Sequence, residues 1–158
     1  TIRDWILLLD QFYYLFRLAP LTGRLARTLR KENKIFLFDW VEIEDESLRF
    51  ENLVALHLLK AVRMWKAMGE GEIHLNYIRD KEKREVDFVL SEKEKPICLI
   101  ECKARDENLS PNLIYFQKNL SVPTAVQILH KVGVCKKLRS EGLIQWIISA
   151  DQWRHILP

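Results

Sequence analysis

The chain has 158 residues, 48% of them hydrophobic and 30% charged, with a formal net charge of +3. That length suits one domain, or one domain plus a fragment of another, and the composition is that of a globular protein. No apolar run approaches the ~20 residues that span a bilayer, no secretory cleavage site follows the opening Thr1-to-Leu9 stretch, and a charge this weakly basic permits nucleic-acid binding without arguing for it.

Trp5 to Phe12 reads as the end of a helix and Tyr13 to Leu18 as a short strand, broken by Pro20 and Gly23. A basic segment follows, with Arg24, Arg27, Arg30 and Lys31 on one face if it is helical, where nucleic acid or an acidic partner could meet it. Ile35 to Phe38 is a second short strand, and the acidic stretch Glu42 to Glu46 marks a candidate boundary. Leu48 to Met68 reads as a long helix. Its stripe Phe50, Leu53, Val54, His57, Leu58, Ala61, Trp65 and Met68 recurs at spacings of three and four, so these residues, His57 included, are expected to face the core. Gly69 and Gly71 end it.

Ile73 to Arg79 and Val86 to Leu90 form an expected hairpin around the charged turn Asp80 to Arg84. After Pro96 the run Ile97-Cys98-Leu99-Ile100 is apolar on both faces, as a central strand covered on both sides should be. Ser110 and Pro111 open a helix that runs to about Leu120. Strands at Val122 to Leu129 and Leu143 to Ser149 follow, with Gly133 to Ser140 expected as a short helix or loop and Asp151 to Leu157 as a closing helix. The order predicts an α/β fold with a mixed sheet.

The chemistry concentrates at the end of the apolar strand. Glu101 and Lys103 are two apart, so they share a face. Asp87 on the neighbouring strand can come within about 5 Å of Glu101. Two carboxylates that close repel unless a cation lies between them, and a hard divalent ion such as Mg²⁺ meets that need. Glu32-Asn33-Lys34 repeats the Glu-X-Lys pattern but sits in a basic loop rather than at the end of a core strand, and is set aside. Lys83 and Arg84, with Lys81, could touch phosphates, although Asp80, Glu82 and Glu85 are expected to neutralise that turn. Arg105, just beyond the Glu-X-Lys triplet, could make a further, weaker phosphate contact. The histidines show no zinc spacing, and no Gly-x-x-x-x-Gly-Lys loop for ATP occurs. Cys98, Cys102 and Cys135 cannot all pair within one chain, so reduced thiols and a cytoplasmic location are expected. A start at Thr1 rather than Met points to a piece of a longer protein.

Four blocks in order, Phe50-Glu51-Asn52-Leu53-Val54-Ala55, Tyr77-Ile78-Arg79-Asp80, Arg84-Glu85-Val86-Asp87-Phe88-Val89 and Ile100-Glu101-Cys102-Lys103, resemble domain-of-unknown-function 4143. That domain follows the ATPase module of many bacterial and archaeal AAA-type ATPases and is similar to the PD-(D/E)XK nuclease-like superfamily. The chain departs from the family pattern at Cys102 and Ala104-Arg105, around the lysine, and near Asp39-Trp40. The resemblance implies a restriction-endonuclease-like core over residues 46–158, and a helix-and-hairpin segment over 1–45 leading from an upstream ATPase that alone would bind ATP. It implies Asp87 and Glu101 as ligands of Mg²⁺ or Mn²⁺, with the Cys102 backbone carbonyl as a further oxygen. Glu51 would hold a second ion or a metal-bound water, and Lys103 would orient the attacking water in cleavage of DNA. The partners implied are DNA and the ATPase in cis, with no membrane.

Each residue also has a structural reading. Glu51 would favour the start of a helix, Asp87 would cap or pair within the hairpin, and Glu101 with Lys103 would form a buried salt bridge. A nuclease-fold module that binds nucleic acid or a protein partner without cleaving is the alternative function.

Overall fold

A computed structural model describes residues 1–21 and 32–153. The basic segment Arg24, Arg27, Arg30 and Lys31, and the closing stretch beyond Trp153, lie outside the described residues. Helix α1 (Ile2–Gln11) leads into a two-stranded antiparallel sheet, β1 (Leu15–Leu18) with β2 (Lys34–Leu37). A short 3-10 turn, Trp40–Glu42, precedes the long helix α2 (Glu46–Met68). Then come β3 (Ile73–Arg79), β4 (Glu85–Glu92), β5 (Lys95–Lys103), α3 (Pro111–Asn119), β6 (Thr124–Leu129), β7 (Cys135–Ser140), β8 (Leu143–Ser149) and α4 (Ala150–Trp153).

The six later strands form one mixed sheet in the order β3-β4-β5-β6-β8-β7. The pairs β3–β4, β4–β5 and β7–β8 are antiparallel, while β5–β6 and β6–β8 are parallel, so the expected α/β fold with a mixed sheet is present. Period-2 alternation gives the sheet two apolar faces. Phe88, Ile100 and Ile128 pack with Phe50, Val54 and Leu58 of α2 and with Phe16 and Phe36 of the small sheet. Val89, Leu99 and Ala125 pack with Leu113 and Phe116 of α3 on the other face. The first buried cluster crosses the acidic stretch Glu42 to Glu46, so the small sheet and α2 share one core.

Helix α2 begins earlier than its apolar stripe suggests. Asp45 caps it, accepting from the Leu48 N–H at 2.8 Å. Gly69 closes it at φ +76°, a left-handed position that favours glycine. Phe50, Val54, Leu58 and Ala61 are buried as the stripe predicts. His57, expected in the core, is exposed, and so is Met68. The buried face is rotated toward Asn52 and Ala55 because the small sheet covers that side. Asn52 is 2% exposed, and its amide bonds both backbone groups of Leu37, accepting from the N–H at 2.8 Å and donating to the C=O at 2.7 Å. It stands in for a neighbouring strand along β2.

The segment Gly133 to Ser140, expected as helix or loop, instead contains the edge strand β7. All six of its residues are exposed, so it has no buried face to impose apolar alternation. The two-residue turn Glu141-Gly142, with φ of +52° and +80°, folds it back onto β8. No described helix is long and apolar enough to cross a membrane.

Candidate functional site

The site lies where β4 and β5 run out beside the start of α2. The register of β4 on β5 ends with Phe88 opposite Ile100, one step short of Asp87 and Glu101. On its other side β4 pairs Val89 with Asn76 and Val86 with Ile78. Asp87 and Phe88 therefore oppose the single residue Tyr77, a β-bulge that re-aims the side chains at this point. As a result Val86 packs toward α3 while Phe88 packs toward α2. Asp87 is held there by the Cys102 N–H, which donates to Oδ2 at 2.9 Å.

On β5, Lys103 Nζ lies 2.9 Å from Glu101 Oε1, as the two-residue spacing predicts. The Ser110 hydroxyl donates to the same oxygen at 3.4 Å. Ser110 is fixed as the residue before α3 by its own N–H, which donates to Gln127 Oε1 at 2.8 Å. Glu101 is 5% exposed, and its Oε2 is buried with no hydrogen-bond partner among the described residues. Burial and the charge of Asp87 push the Glu101 carboxyl up to about 7, against the pull of Lys103.

Glu51 is in the second turn of α2, because the helix starts at Glu46. The dipole effect fades within the first turn, so the dipole explains this acid poorly. Its partner is Lys34, the first residue of β2. Lys34 Nζ lies 2.9 Å from Glu51 Oε1, 2.6 Å from Glu85 Oε1 and 3.5 Å from Asp87 Oδ1. Burial alone would lower the pKa of this ammonium, but Asp87, Glu51 and Glu85 outweigh burial and hold it above the usual lysine range. Burial and Asp87 raise the Glu51 carboxyl, with Lys34 opposing.

Sequence reasoning missed Lys34 and Glu85. The triplet containing Lys34 reads as a loop and Glu85 as a partner of the turn cations; in the structure Lys34 opens β2 and Glu85 bonds Lys34 and Arg79. The remaining signal was a lone lysine opening an apolar strand.

Glu51, Asp87, Glu101, Cys102 and Lys103 line one cavity of about 310 Å³. A second cleft of about 460 Å³, lined by Lys34, Phe36, Asn52 and Glu85, shares Leu48 and Glu51 with it. The donor set is oxygen-rich, as a hard divalent cation requires, and the unpartnered Glu101 oxygen is a vacant acceptor within it. Among the described residues, no three Asp, Glu, His or Cys side chains converge into a ready metal cage. Of the ligands that the family resemblance implies, Asp87, Glu101 and Cys102 line this cavity together, while Glu51 Oε1 is already bonded to Lys34.

A family model described as Domain of unknown function (DUF4143) matches residues 48–153. The chain belongs to this family. No curated protein matches the chain. The DUF4143 match takes in Glu51, Asp87, Glu101 and Lys103, while Lys34 comes from the segment before it. Of the expected phosphate contacts in this DUF4143 chain, Lys83 and Arg105 are exposed. Arg84 is tied down: it bonds Asp80 at 2.6 Å and Glu82 at 2.9 Å, and its guanidinium lies 3.7 Å over the Tyr115 ring of α3. None of these three lines the acidic cavity.

Proposed function

We propose that this chain is a PD-(D/E)XK nuclease-like core that hydrolyses phosphodiester bonds of DNA with Mg²⁺ or Mn²⁺, as the C-terminal domain of an AAA-type ATPase. The observation that carries the reading is the buried, unpartnered oxygen of Glu101 in one cavity with Asp87 and Lys103. Asp87, Glu101 and the Cys102 carbonyl would hold the ion. Bound there, it would supply Lewis-acid polarisation of the phosphate. The Lys103 ammonium, fixed by Glu101, would orient the attacking water and offset the charge that develops on the phosphate. Exposed Lys83 and Arg105 would hold the DNA backbone. ATP would bind only in the upstream module.

The test is Mg²⁺- or Mn²⁺-dependent nicking of plasmid DNA by the chain, alone and within its full-length protein. Lys103→Ala is expected to lose at least ~100-fold of the rate while DNA binding is retained. Equal cleavage by both proteins sinks the assignment.

A specific observation favours the second reading, a nuclease-fold module that binds nucleic acid or a protein partner without cleaving. Both ammonium groups, Lys34 and Lys103, are already paired to the carboxylates. Salt-dependent DNA binding with no cleavage in either metal supports this module.

A further inference from the structure

The proposed hydrolysis leaves Lys34 without a role, yet its ammonium touches three carboxylates, one on α2 and two on β4. We infer that Lys34 is a resident cation standing in the place of a second divalent ion, so that this site takes one divalent cation, at Asp87 and Glu101, and not two. The inference rests on the nuclease-like reading above and specifies the metal stoichiometry of that site.

Two-metal phosphodiesterases place ions ~3.5–4 Å apart, bridged or flanked by carboxylates. Here Asp87 is the carboxylate common to both positions. Its Oδ1 faces Lys34, and its side chain lines the cavity with Glu101. Glu51, which the family resemblance offers to a second ion, spends Oε1 on Lys34 at 2.9 Å. The charges point the same way. Glu51, Glu85, Asp87 and Glu101 face Lys34, Lys103 and the Arg79 that bonds Glu85. One divalent ion already reverses the sign of that cluster, and a second would bring two more positive charges against an ammonium.

The lysine is delivered by a fixed backbone. Ahead of it, the Tyr77 hydroxyl donates to the Glu32 carbonyl at 2.6 Å. Behind it, Asn52 bonds both backbone groups of Leu37. The Tyr77 ring lies 5.4 Å from Nζ. Lys34 is thus anchored on both sides, by a strand of the core sheet and by the same helix that carries Glu51.

The experiment counts Mn²⁺ on the 158-residue chain by calorimetric titration and reads ion–ion coupling by electron paramagnetic resonance. The wild type is expected to bind one ion with an uncoupled signal. Lys34→Met is expected to bind two with a coupled signal, and Lys34→Arg, which keeps the charge, one. Two coupled ions in the wild type, or a single ion in a Lys34→Met protein with native circular dichroism, overturns the inference while leaving the nuclease-like reading standing. No Mn²⁺ on either protein overturns both. Lys34→Gln serves as a second neutral variant with a polar end. If neither neutral variant folds, the wild-type count decides: one uncoupled ion upholds the inference and two coupled ions overturn it.

Discussion

Lys34 Nζ and Glu51 Oε1 stand 2.9 Å apart, joining the first residue of β2 to the second turn of α2 at the wall between two clefts. Both side chains are less than a fifth exposed. The pair therefore sits where a missing partner costs more than it would on the surface.

Removing the cation leaves Glu51, Glu85 and Asp87 facing one another. Lys34→Met is expected to lose ~3 kcal/mol of stability at pH 7, the cost of stripping one partner from a buried ion pair. Lys34→Arg should lose much less. The loss should shrink as pH falls from 7 to 4, where Glu51, whose carboxyl burial and Asp87 push above its ordinary value, takes up a proton. Urea unfolding of the metal-free protein at both pH values checks this, and a pH-independent loss would assign it to packing instead.

Asn52 is a polar residue buried on an otherwise apolar helix face, and both its bonds go to Leu37. Asn52→Leu keeps the volume and leaves the Leu37 N–H and C=O without that partner. The expected cost is ~2–3 kcal/mol, with faster hydrogen exchange at the Leu37 amide. Unchanged exchange there would mean that β2 is held without Asn52.

Much of the scaffold is legible in the residues. Ile97 to Ile100 announces a strand covered on both faces, and the charged turn at Asp80 announces the β3–β4 hairpin. Glu101 and Lys103 follow from strand period alone, and they do meet. What is not legible depends on distance along the chain or on exposure. Lys34 reaches Asp87 across 53 positions, and no local pattern records that contact. The bulge at Asp87 and Phe88 falls inside the run Val86 to Leu90, which reads as one continuous strand, and a single aspartate does not mark a register shift. Strand β7 is exposed on both faces and carries no periodicity to read. His57 keeps the stripe spacing of α2 but falls outside the arc that the small sheet covers.

Glu101 makes stability depend on pH. Its folded pKa is raised from an ordinary 4.5 to about 7 by burial and Asp87. A carboxyl raised in this way binds its proton more tightly when folded. Its contribution is fully present below the unfolded value and is lost as pH rises through the folded one. Metal-free protein should therefore lose stability between about pH 4.5 and 7, by on the order of 3 kcal/mol. Glu51, also raised, adds in the same direction. Glu101→Gln should flatten most of the slope, and chemical denaturation in a chelator at several pH values measures it. A wild-type slope of opposite sign would remove the burial argument.

A bound ion should reverse that dependence. It holds Glu101 ionised, so Mg²⁺ or Mn²⁺ binding should stabilise the fold more at pH 8 than at pH 5. At a free concentration a hundred times the Kd, one site contributes ~2.7 kcal/mol by mass action. For a chain of this size that is a rise in Tm of roughly 5–10 °C. Asp87→Asn and Glu101→Gln each remove a charged oxygen donor and should abolish the rise. Lys83→Ala, outside the cavity, should leave it intact. Thermal unfolding with and without the ion decides the matter. A rise that survives both carboxylate substitutions would place the ion elsewhere on the molecule, and no rise in either metal would favour the module that binds without cleaving.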